Sequence, residues 1–290
     1  MKNTIHYSIM TSKLRKFFQE QKGFIEVPAQ SRLSILAACE DPKTISKFNL
    51  NNTVYPLPQT GQLWLEYELL TIPNCKGVFC STTSYRDEQH VVKGRHHRIF
   101  PMFEFESFGD VEELKKIEAE LLVYLGFEQP TSVLYEEMCE KYSCSCLEAK
   151  EEEALKNDIG NVISLEKFPK RSQPFWNMKY AENGLFNKVD IILHGMETIG
   201  SAERSNNVDE MQEQFFAVSE GQYAKLLFDV CGKNRVLHEL DEYLSLPFVS
   251  RFGAGIGLTR LESAMEKAGL FNTSILKPQH SPYIKQHSSL

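Results

Sequence analysis

Arg86 and Glu88, within Tyr85-Arg-Asp-Glu88, are two residues whose chemistry could serve one ligand. Side chains alternate along a β-strand, so we expect both residues on the same face of a strand. A guanidinium group matches phosphate oxygens in a bidentate manner, and a carboxylate can accept a hydrogen bond from an exocyclic amine. A ligand that offers both groups is ATP, and the pair predicts an ATP site.

A cationic turn follows this strand and precedes a second strand, which is predicted to run from Ile99 to Phe108. In a chain with a formal net charge of -7, five basic residues are concentrated in the turn: Lys93, Arg95, His96, His97 and Arg98. We expect a polyphosphate to bind there. An ordinary surface hairpin with a solvated basic turn is the alternative, and these residues alone leave both interpretations open.

Three alternating glycines, Gly253, Gly255 and Gly257, predict a strand with one bare face. Glycine in a strand often marks a place where a ligand or another backbone approaches closely. Arg260 follows in the first turn of a predicted helix, from which it could reach a phosphate across this face. The glycine spacing matches neither a P-loop nor a dinucleotide fingerprint.

Asp190 and Glu197 lie on either side of a predicted tight turn at His194-Gly195. Paired strands would bring the two carboxylates together, and Mg²⁺ commonly takes one or two carboxylates plus substrate phosphates. The pair therefore predicts a magnesium site, with two unrelated strand acids as the alternative.

The elements that position these residues are predicted from hydrophobic periodicity and from glycine and proline positions. Helices are predicted over residues 8–22, 62–70, 110–125 and 208–229, and after the strand that begins at Arg251. Strands are predicted over residues 24–28, 78–86, 99–108, 186–194 and 197–204. Residues 29–56 are predicted to be mixed and polar, with a surface loop near Asn49, and residues 128–160 to be a helical insertion. The pattern predicts an α+β fold in which helices flank an antiparallel sheet.

The composition is that of a globular protein: 42% of the 290 residues are hydrophobic and 24% are charged. We expect one domain over 1–290. No apolar run approaches the roughly 20 residues that a membrane span needs, and no signal peptide precedes the first helix, so a cytoplasmic location is expected. Seven cysteines, an odd number, favour reduced thiols over a disulfide framework. The acidic balance argues against a broad nucleic-acid-binding surface.

Three segments resemble the signature motifs of the class II aminoacyl-tRNA synthetases. The helix that leads to Gly23-Phe-Ile-Glu-Val-Pro28 resembles motif 1, Tyr85-Arg-Asp-Glu88 with Phe100 resembles motif 2, and Gly253 to Arg260 resembles motif 3. They occur in the family's order. The fold that the resemblance implies is the class II antiparallel sheet flanked by helices.

Further segments are similar to the aspartyl and asparaginyl branch of that family. Thr60-Gly-Gln-Leu-Trp-Leu-Glu66 resembles the Ser-Gly-Gln-Leu-x-x-Glu of the asparaginyl enzymes, and Lys170 to Trp176 resembles their Lys-Pro-Phe-Tyr stretch. Asp190 to Arg204 resembles their run of an aspartate, a glutamate and an arginine.

The resemblance implies separate roles within an ATP site. Arg86 would bind the α-phosphate and Glu88 the adenine amino group, while Phe100 and Arg260 would pack on opposite faces of the adenine. Arg86 and Arg260 would also act in catalysis. His96 and Gly257 would lie against the nucleotide.

The resemblance also implies a metal site and an amino-acid site. Asp190 and Glu197 would hold Mg²⁺, with Glu197 also part of the ATP site, and Gln62, Glu66 and Arg204 would bind the substrate amino acid. This chain departs from the family there. Leu65 stands where aspartyl enzymes have a lysine, and Ser201 and Ala202 replace a glycine and a serine.

The resemblance implies an AMP-forming ligase similar to the stand-alone, archaeal-type asparagine synthetases. Since motif 1 begins near residue 8, we expect no anticodon-binding domain and no stable tRNA binding. The expected substrates are aspartate, ATP and ammonia, and the expected intermediate is β-aspartyl-adenylate. Because motif 1 forms a dimer interface in the family, a homodimer is expected.

Three alternatives stay open. The chain could join another acid to a different amine, because its amino-acid pocket departs from the family pattern. It could be a synthetase paralogue that binds nucleotide or a partner without catalysis. It could also retain some tRNA aminoacylation.

Overall fold

The computed structural model describes residues 3–28, 42–89, 97–172 and 174–271. The α-helices are α1 (Thr4–Lys16), α2 (Gln62–Thr71), α3 (Val111–Leu125), α4 (Tyr135–Tyr142), α5 (Ala149–Asp158), α6 (Val208–Ala217), α7 (Gln222–Cys231), α8 (Lys233–Leu244) and α9 (Leu258–Lys267). The strands are β1 (Ile25–Glu26), β2 (Lys47–Leu50), β3 (Thr53–Pro56), β4 (Gly77–Tyr85), β5 (Ile99–Phe108), β6 (Thr131–Leu134), β7 (Val162–Pro169), β8 (Leu185–Leu193), β9 (Met196–Arg204) and β10 (Arg251–Gly257).

Eight of these strands form one sheet in the order β1-β4-β5-β10-β9-β8-β7-β6. The six central strands pair antiparallel. At the two ends, β1 pairs with β4 and β6 pairs with β7 in parallel. The predicted α+β fold is confirmed. The strand predicted over 24–28 is present as β1, whereas β6 lies in a segment that was predicted to be helical.

One face of the sheet is covered by α1, α3 and α9, whose apolar residues share a core with the strands. Helix α3 begins at a capping box: the Asp110 side chain accepts a hydrogen bond from the Glu113 backbone N–H, and the Glu113 side chain accepts one from the Asp110 backbone N–H. It ends at Gly126, whose φ of 108° suits a glycine. Between these limits Leu114 and Leu121 are seven residues apart and both fully buried, as an amphipathic helix requires.

A second apolar core joins α6, α7 and α8 to Trp176. The predicted single helix over 208–229 is wrong, because the chain breaks between α6 and α7. Ser219, Glu220 and Gly221 all have positive φ there. Helix α8 was not predicted.

The insertion at 128–160 contains the predicted helices, α4 and α5, but it also contributes β6 to the main sheet. Tyr135 and Leu155 pack on Ile163 and Leu165 of β7. The segment is therefore part of the sheet's own packing. Cys139, Cys144 and Cys146 are free thiols.

Smaller differences from the predicted elements occur near the start of the chain. Helix α1 begins at Thr4, capped by the Asn3 side chain, and β1 is only two residues long. The predicted loop near Asn49 is a hairpin of β2 and β3, turned by Asn51 and Asn52 with φ of 49° and 61°. Asparagine tolerates this left-handed conformation. Within the described part of the chain, no helix is long and apolar enough to cross a membrane.

Candidate active site

A cavity of ≈ 260 Å³ opens on the face of the sheet where the glycines of β10 lie. Most of the predicted site residues line it, and they come from α2, from the segments that resemble motifs 2 and 3, and from β8 and β9. These residues are Gln62, Arg86, Glu88, Phe100, Asp190, Glu197, Arg204, Gly257 and Arg260. The fold thus brings together side chains that lie up to about 200 residues apart.

Arg86 and Glu88 reach the cavity from a position just beyond β4, which ends at Tyr85. The prediction that they lie within a strand is wrong, since the pairing of β4 with β5 ends at Tyr85. Their backbone is instead held by two bonds: Arg86 N donates to the Arg98 carbonyl at 2.7 Å, and Arg98 Nε donates to the Glu88 carbonyl at 2.9 Å. His96 lies outside the described residues, while His97 lines the cavity.

The Arg86 guanidinium lies over the Phe100 ring, with its central carbon 5.5 Å from the ring centroid. A cation over an aromatic face is attracted by the ring's quadrupole. Phe100 and Ser84 are directly opposite each other across β4 and β5, and Arg86 Nε lies 3.4 Å from Ser84 Oγ. The hairpin therefore presents an aromatic surface beside a positioned guanidinium.

The glycine face of β10 divides into a filled part and an open part. At Gly253, an added Cβ would lie 1.9 Å from Oε1 of Glu106, so that the carboxylate occupies the space a side chain would take. At Gly257, the nearest atom to an added Cβ is 3.8 Å away. Gly255 and Gly257 line the cavity, and the ligand-accessible part of the bare face is its outer end.

Asp190 and Glu197 meet over Gly200. An added Cβ on Gly200 would lie 3.3 Å from Glu197 Oε1 and 3.6 Å from Asp190 Oδ1. The register shifts between β8 and β9, and Thr198 is the extra residue, because Ile191 faces Ile199 while Ile192 faces Glu197. Residues three apart on a regular strand point to opposite faces, so this bulge brings Glu197 to the face of Gly200.

Each of these two carboxylates is paired with a side-chain cation. Lys188 Nζ lies 2.5 Å from Asp190 Oδ2, and Arg260 lies 3.6 Å from Glu197 Oε2 and donates to the Glu197 carbonyl at 2.8 Å. Lys188 was missed from the sequence, although its position two residues before Asp190 on β8 places it on the same face. The oxygen-only donor pair fits a magnesium ion, which prefers carboxylate ligands together with phosphate oxygens.

The other end of the cavity contains Arg204, whose guanidinium donates to Gln62 Oε1 at 3.2 Å and to Glu106 Oε1 at 2.6 Å. Arg204 and Glu106 are both buried. Burial raises the pKa of the Glu106 carboxyl, and the Arg204 guanidinium opposes that rise. Arg204 therefore meets the cavity as part of a fixed ion pair.

Glu66 does not line the cavity with Gln62 and Arg204. It is fully buried behind them, where it accepts from Arg251 Nε at 2.7 Å and from the Tyr243 hydroxyl at 2.8 Å. Its carboxylate lies 3.8 Å from Nε of Arg204, which lines the cavity, and the predicted role of Glu66 in amino-acid binding stays a prediction. Arg251, at the start of the glycine strand, was not predicted to belong to the site.

Glu104 fixes the start of α2, which carries Gln62. Its carboxylate accepts from Gly61 N at 2.8 Å, from Thr82 Oγ1 at 2.7 Å and from Thr60 Oγ1. Burial raises the pKa of Glu104, and these hydrogen bonds lower it. A buried carboxylate with three donors holds the helix end rigidly, and Gln62 is positioned by that contact.

The model of one protein family, described as tRNA synthetases class II (D, K and N), matches residues 1–269. The chain belongs to this family. No curated protein matches the chain.

Solved structures of class II synthetases share the fold. Asparaginyl-tRNA synthetase from Pyrococcus horikoshii, complexed with asparaginyl-adenylate, aligns with a TM-score of 0.73 and 21% identity over 90% of this chain and 66% of that one. The Entamoeba histolytica asparaginyl enzyme with the same adenylate aligns with a TM-score of 0.68 and 19% identity, covering 90% and 62%. A putative aspartyl-tRNA synthetase from Leishmania major Friedlin gives 0.69 and 17%, covering 95% and 65%. The chain thus spans less than two thirds of the length of each.

Membership in the class II family agrees with the sequence motifs. The motif 2 hairpin is β4 and β5, and motif 3 is β10 and α9. Their antiparallel pairing includes Gly255 opposite Glu104, which places the two motifs side by side at the centre of the class II sheet.

Proposed function

We propose that this class II family member is an ATP-dependent ligase that activates an acid as an adenylate. The observation that carries the proposal is the convergence of Arg86, Glu88, Phe100 and Arg260 with the Asp190–Glu197 pair on one cavity. Two guanidinium groups, an aromatic surface and a metal-binding carboxylate pair match the parts of a nucleoside triphosphate.

In the first step, a carboxylate oxygen of the acid attacks the α-phosphorus of ATP in line. The new phosphorus–oxygen bond forms as the bond to pyrophosphate breaks, and pyrophosphate leaves with the electron pair. Arg86 and Arg260 line the cavity where this charge would develop, and positioned cations of this kind are the main device in such transfers. When bound between Asp190 and Glu197, Mg²⁺ would neutralise phosphate charge.

In the second step, an amine attacks the acyl carbon of the adenylate and AMP leaves. Neither step requires a nucleophile from the protein, because the acid and the amine supply both attacking atoms. The protein's part is to bind, orient and neutralise charge. The hydrogen bond of Arg204 to Gln62 at 3.2 Å fixes these two side chains, which would bind the acid and orient it for attack.

For the acid and the amine we propose aspartate and ammonia, which give asparagine through β-aspartyl-adenylate. Arg204 and Gln62 support an amino acid that carries an additional anionic group. Leu65 packs in an apolar cluster with Leu69 and Val78 and adds no charge to the cavity. Another acid joined to another amine is the alternative within the same chemistry.

A panel of acids and amines scored for AMP release tests the proposal. We expect ATP, Mg²⁺, aspartate and ammonia to give AMP and asparagine, and Arg86→Ala to abolish that release. AMP from a different acid, with none from aspartate, would replace the proposed substrates while keeping the ligase chemistry. No acid-dependent AMP release or pyrophosphate exchange at all would refute the ligase.

A tRNA-synthetase role is the second candidate, favoured by the likeness to asparaginyl-tRNA synthetases solved with asparaginyl-adenylate. Its test is charging of total tRNA with labelled asparagine or aspartate. We propose no stable tRNA binding, so we expect no charged tRNA and no retention of the chain on a tRNA column. Charging above the Arg86→Ala background would select this second function.

We also propose that the chain is a cytoplasmic homodimer that uses the surface around α1 and β1. Ile5 and Ile25, in these two elements, are large apolar residues exposed in the single chain, which is consistent with an interface there. Sedimentation at micromolar concentration tests this, and a species of only 33.3 kDa would refute it.

A further inference from the structure

Lys188 occupies a position in the cavity that the ligase chemistry described above does not use. Its Nζ lies 2.5 Å from Asp190 Oδ2 and 3.8 Å from the centroid of the Phe168 ring. The side chain is 19% exposed. The ammonium group therefore lies on the surface of the cavity, beside a carboxylate that the proposed function assigns to a metal ion.

We call the part of the cavity around Arg86, Arg260 and the Asp190–Glu197 pair its phosphate end. Among the described residues, three cations line it, Lys188, Arg86 and Arg260, together with three carboxylates: Glu88, Asp190 and Glu197. A nucleoside triphosphate brings about four negative charges into this balanced group, since each phosphate is ionised near neutral pH. They can be neutralised by a divalent cation, by the basic residues of the predicted turn over 93–98, or by a cation that moves from a carboxylate to the phosphates.

Lys188 is suited to move and Arg260 is not. Arg260 is tied to the backbone of β9 by its hydrogen bond to the Glu197 carbonyl at 2.8 Å, and its planar group has fixed donor directions. A lysine ammonium is a compact charge on a flexible four-carbon stem with three rotatable donors. Lys188 lines the cavity described above and also a second cavity of ≈ 320 Å³ beside Phe168. The Lys188 side chain thus has space to change direction on both of its sides.

We propose that Lys188 is an exchangeable counter-ion that links nucleotide binding to metal binding. In the free protein its ammonium group neutralises Asp190 and so weakens the binding of a divalent cation there. When a triphosphate enters, the ammonium group turns to the outer phosphate oxygens, and Asp190 becomes available to the metal. This inference rests on the proposed function only in requiring that the cavity binds a nucleoside triphosphate and that Asp190 binds a divalent cation.

The exchange also serves the proposed chemical step. As the bond between the α-phosphorus and the bridging oxygen breaks, its electron pair goes to the leaving pyrophosphate. An ammonium group on the outer phosphates is placed to stabilise that charge. When pyrophosphate dissociates, Lys188 returns to Asp190, which releases the metal together with the product.

Two binding measurements on the full chain distinguish this role from a purely structural one. The first measures Mn²⁺ binding to the nucleotide-free protein by electron paramagnetic resonance. The second measures ATP binding in the presence of EDTA by calorimetry. Measured separately, they avoid the complex that ATP itself forms with the metal.

We expect Lys188→Met to shift the two affinities in opposite directions, each by about tenfold, which is the usual scale of a coupling between two sites. Mn²⁺ should bind more tightly because Asp190 has lost its cation, and ATP should bind more weakly because the phosphates have lost theirs. Lys188→Arg should restore ATP binding towards the wild-type value, since it restores the charge.

Lys141→Met is the matched control. Lys141 forms a similar pair with Asp158 at 2.9 Å and lines neither of the two cavities, so we expect both affinities to stay unchanged. Weaker binding of both ligands by Lys188→Met, or no change in either, would overturn the proposal, and so would a wild-type protein that does not bind ATP in EDTA.

The outcome is separable from that of the ligase assay. Opposite shifts in a protein that releases no AMP with any acid would refute the ligase and retain the exchange at Lys188. AMP release without the opposite shifts would refute the exchange and retain the ligase.

Discussion

The two ends of the cavity contain the same kinds of side chains at different depths. At the acid end, Arg204, which lines the cavity, and Glu66, which lies behind it, are 1% and 0% exposed. At the phosphate end, Arg260 and Glu197 are 27% and 40% exposed, with 3.6 Å between their charged atoms. One end is fixed before a ligand arrives, while the other can exchange its partners.

The physical reason lies in the dielectric environment. A buried charge pair is held by strong Coulomb attraction that offsets the loss of water, so removing one partner leaves an uncompensated charge. A pair near the surface contributes up to about 1 kcal/mol, because water and salt screen it. The acid end therefore depends on its ion pairs for stability, and the phosphate end uses them mainly for binding.

Glu66→Gln should have the largest effect on stability. The change leaves the buried Arg251 guanidinium, now 2.6 Å from the Glu66 carboxylate, without its counter-ion, at an expected cost of about 3–5 kcal/mol. Urea denaturation measures it. Glu88→Gln, at the phosphate end, is the matched control and should change stability by less than about 0.5 kcal/mol. Equal losses in both variants would contradict the division between the two ends.

Arg86→Ala should have the largest effect on catalysis with little effect on folding. We expect AMP release to fall by about 10²–10³, the scale seen when one group that stabilises developing charge is removed. Initial rates at saturating ATP measure the change. Arg235→Ala removes an arginine that is paired with Glu239, outside the cavity, and should keep the wild-type rate. A rate in Arg86→Ala within threefold of wild type would place the chemistry elsewhere.

Glu118 should make the stability of the protein depend on pH. Burial raises the pKa of this α3 carboxyl to about 8, and the charges of Asp190 and Glu166 add to the rise. Between about pH 5 and pH 8 the unfolded chain has lost this proton while the folded protein keeps it. Stability should therefore fall as pH rises through this range, by up to about 1.4 kcal/mol per pH unit.

The check is to measure the free energy of unfolding from pH 5 to pH 8 in wild type and Glu118→Gln. The variant cannot ionise at this position, so its free energy of unfolding should depend less on pH. Compared with wild type, the variant should become more stable as the pH rises. Glu112→Gln, on the same helix but 72% exposed, should leave the slope unchanged. A wild-type slope that survives in Glu118→Gln would assign the pH dependence to another group.

The smallest expected effects distinguish two glycines on the same strand. In Gly255→Ala the new Cβ would lie 2.8 Å from Met102 Cε and 3.0 Å from Gln62 Nε2, so we expect a several-fold higher KM for the acid. In Gly257→Ala the nearest atom is 3.8 Å away, so stability should change by less than about 0.5 kcal/mol. KM measurements for acid and ATP check both. If Gly257→Ala raised the KM for the acid more than Gly255→Ala does, the assignment of the two ends of the cavity would be reversed.

The same contrast explains what the sequence could predict. Arg86, Glu88 and the glycines of β10 belong to short local patterns, and their convergence could be predicted because the motif order implies the fold. The burial of Glu66 behind the cavity could not be predicted, because its partner Asn177 lies 111 positions away and the local sequence does not indicate that contact. Lys188 was missed although strand periodicity places it beside Asp190. Residues 29–41 and 90–96, which include His96, lie outside the described part of the chain.

The two short parallel strands at the ends of the sheet have a further consequence. β1 has two residues and β6 has four, whereas the central antiparallel strands have seven to ten. Long exposed edges invite strand addition by another chain, and short edge strands prevent it. Within the described sheet, β1 pairs with β4 at Val78 and Phe79, and β6 pairs with β7 from Ile163 to Glu166. Each outer long strand is therefore partly covered by a short one, which shortens the edge available for strand addition by another chain.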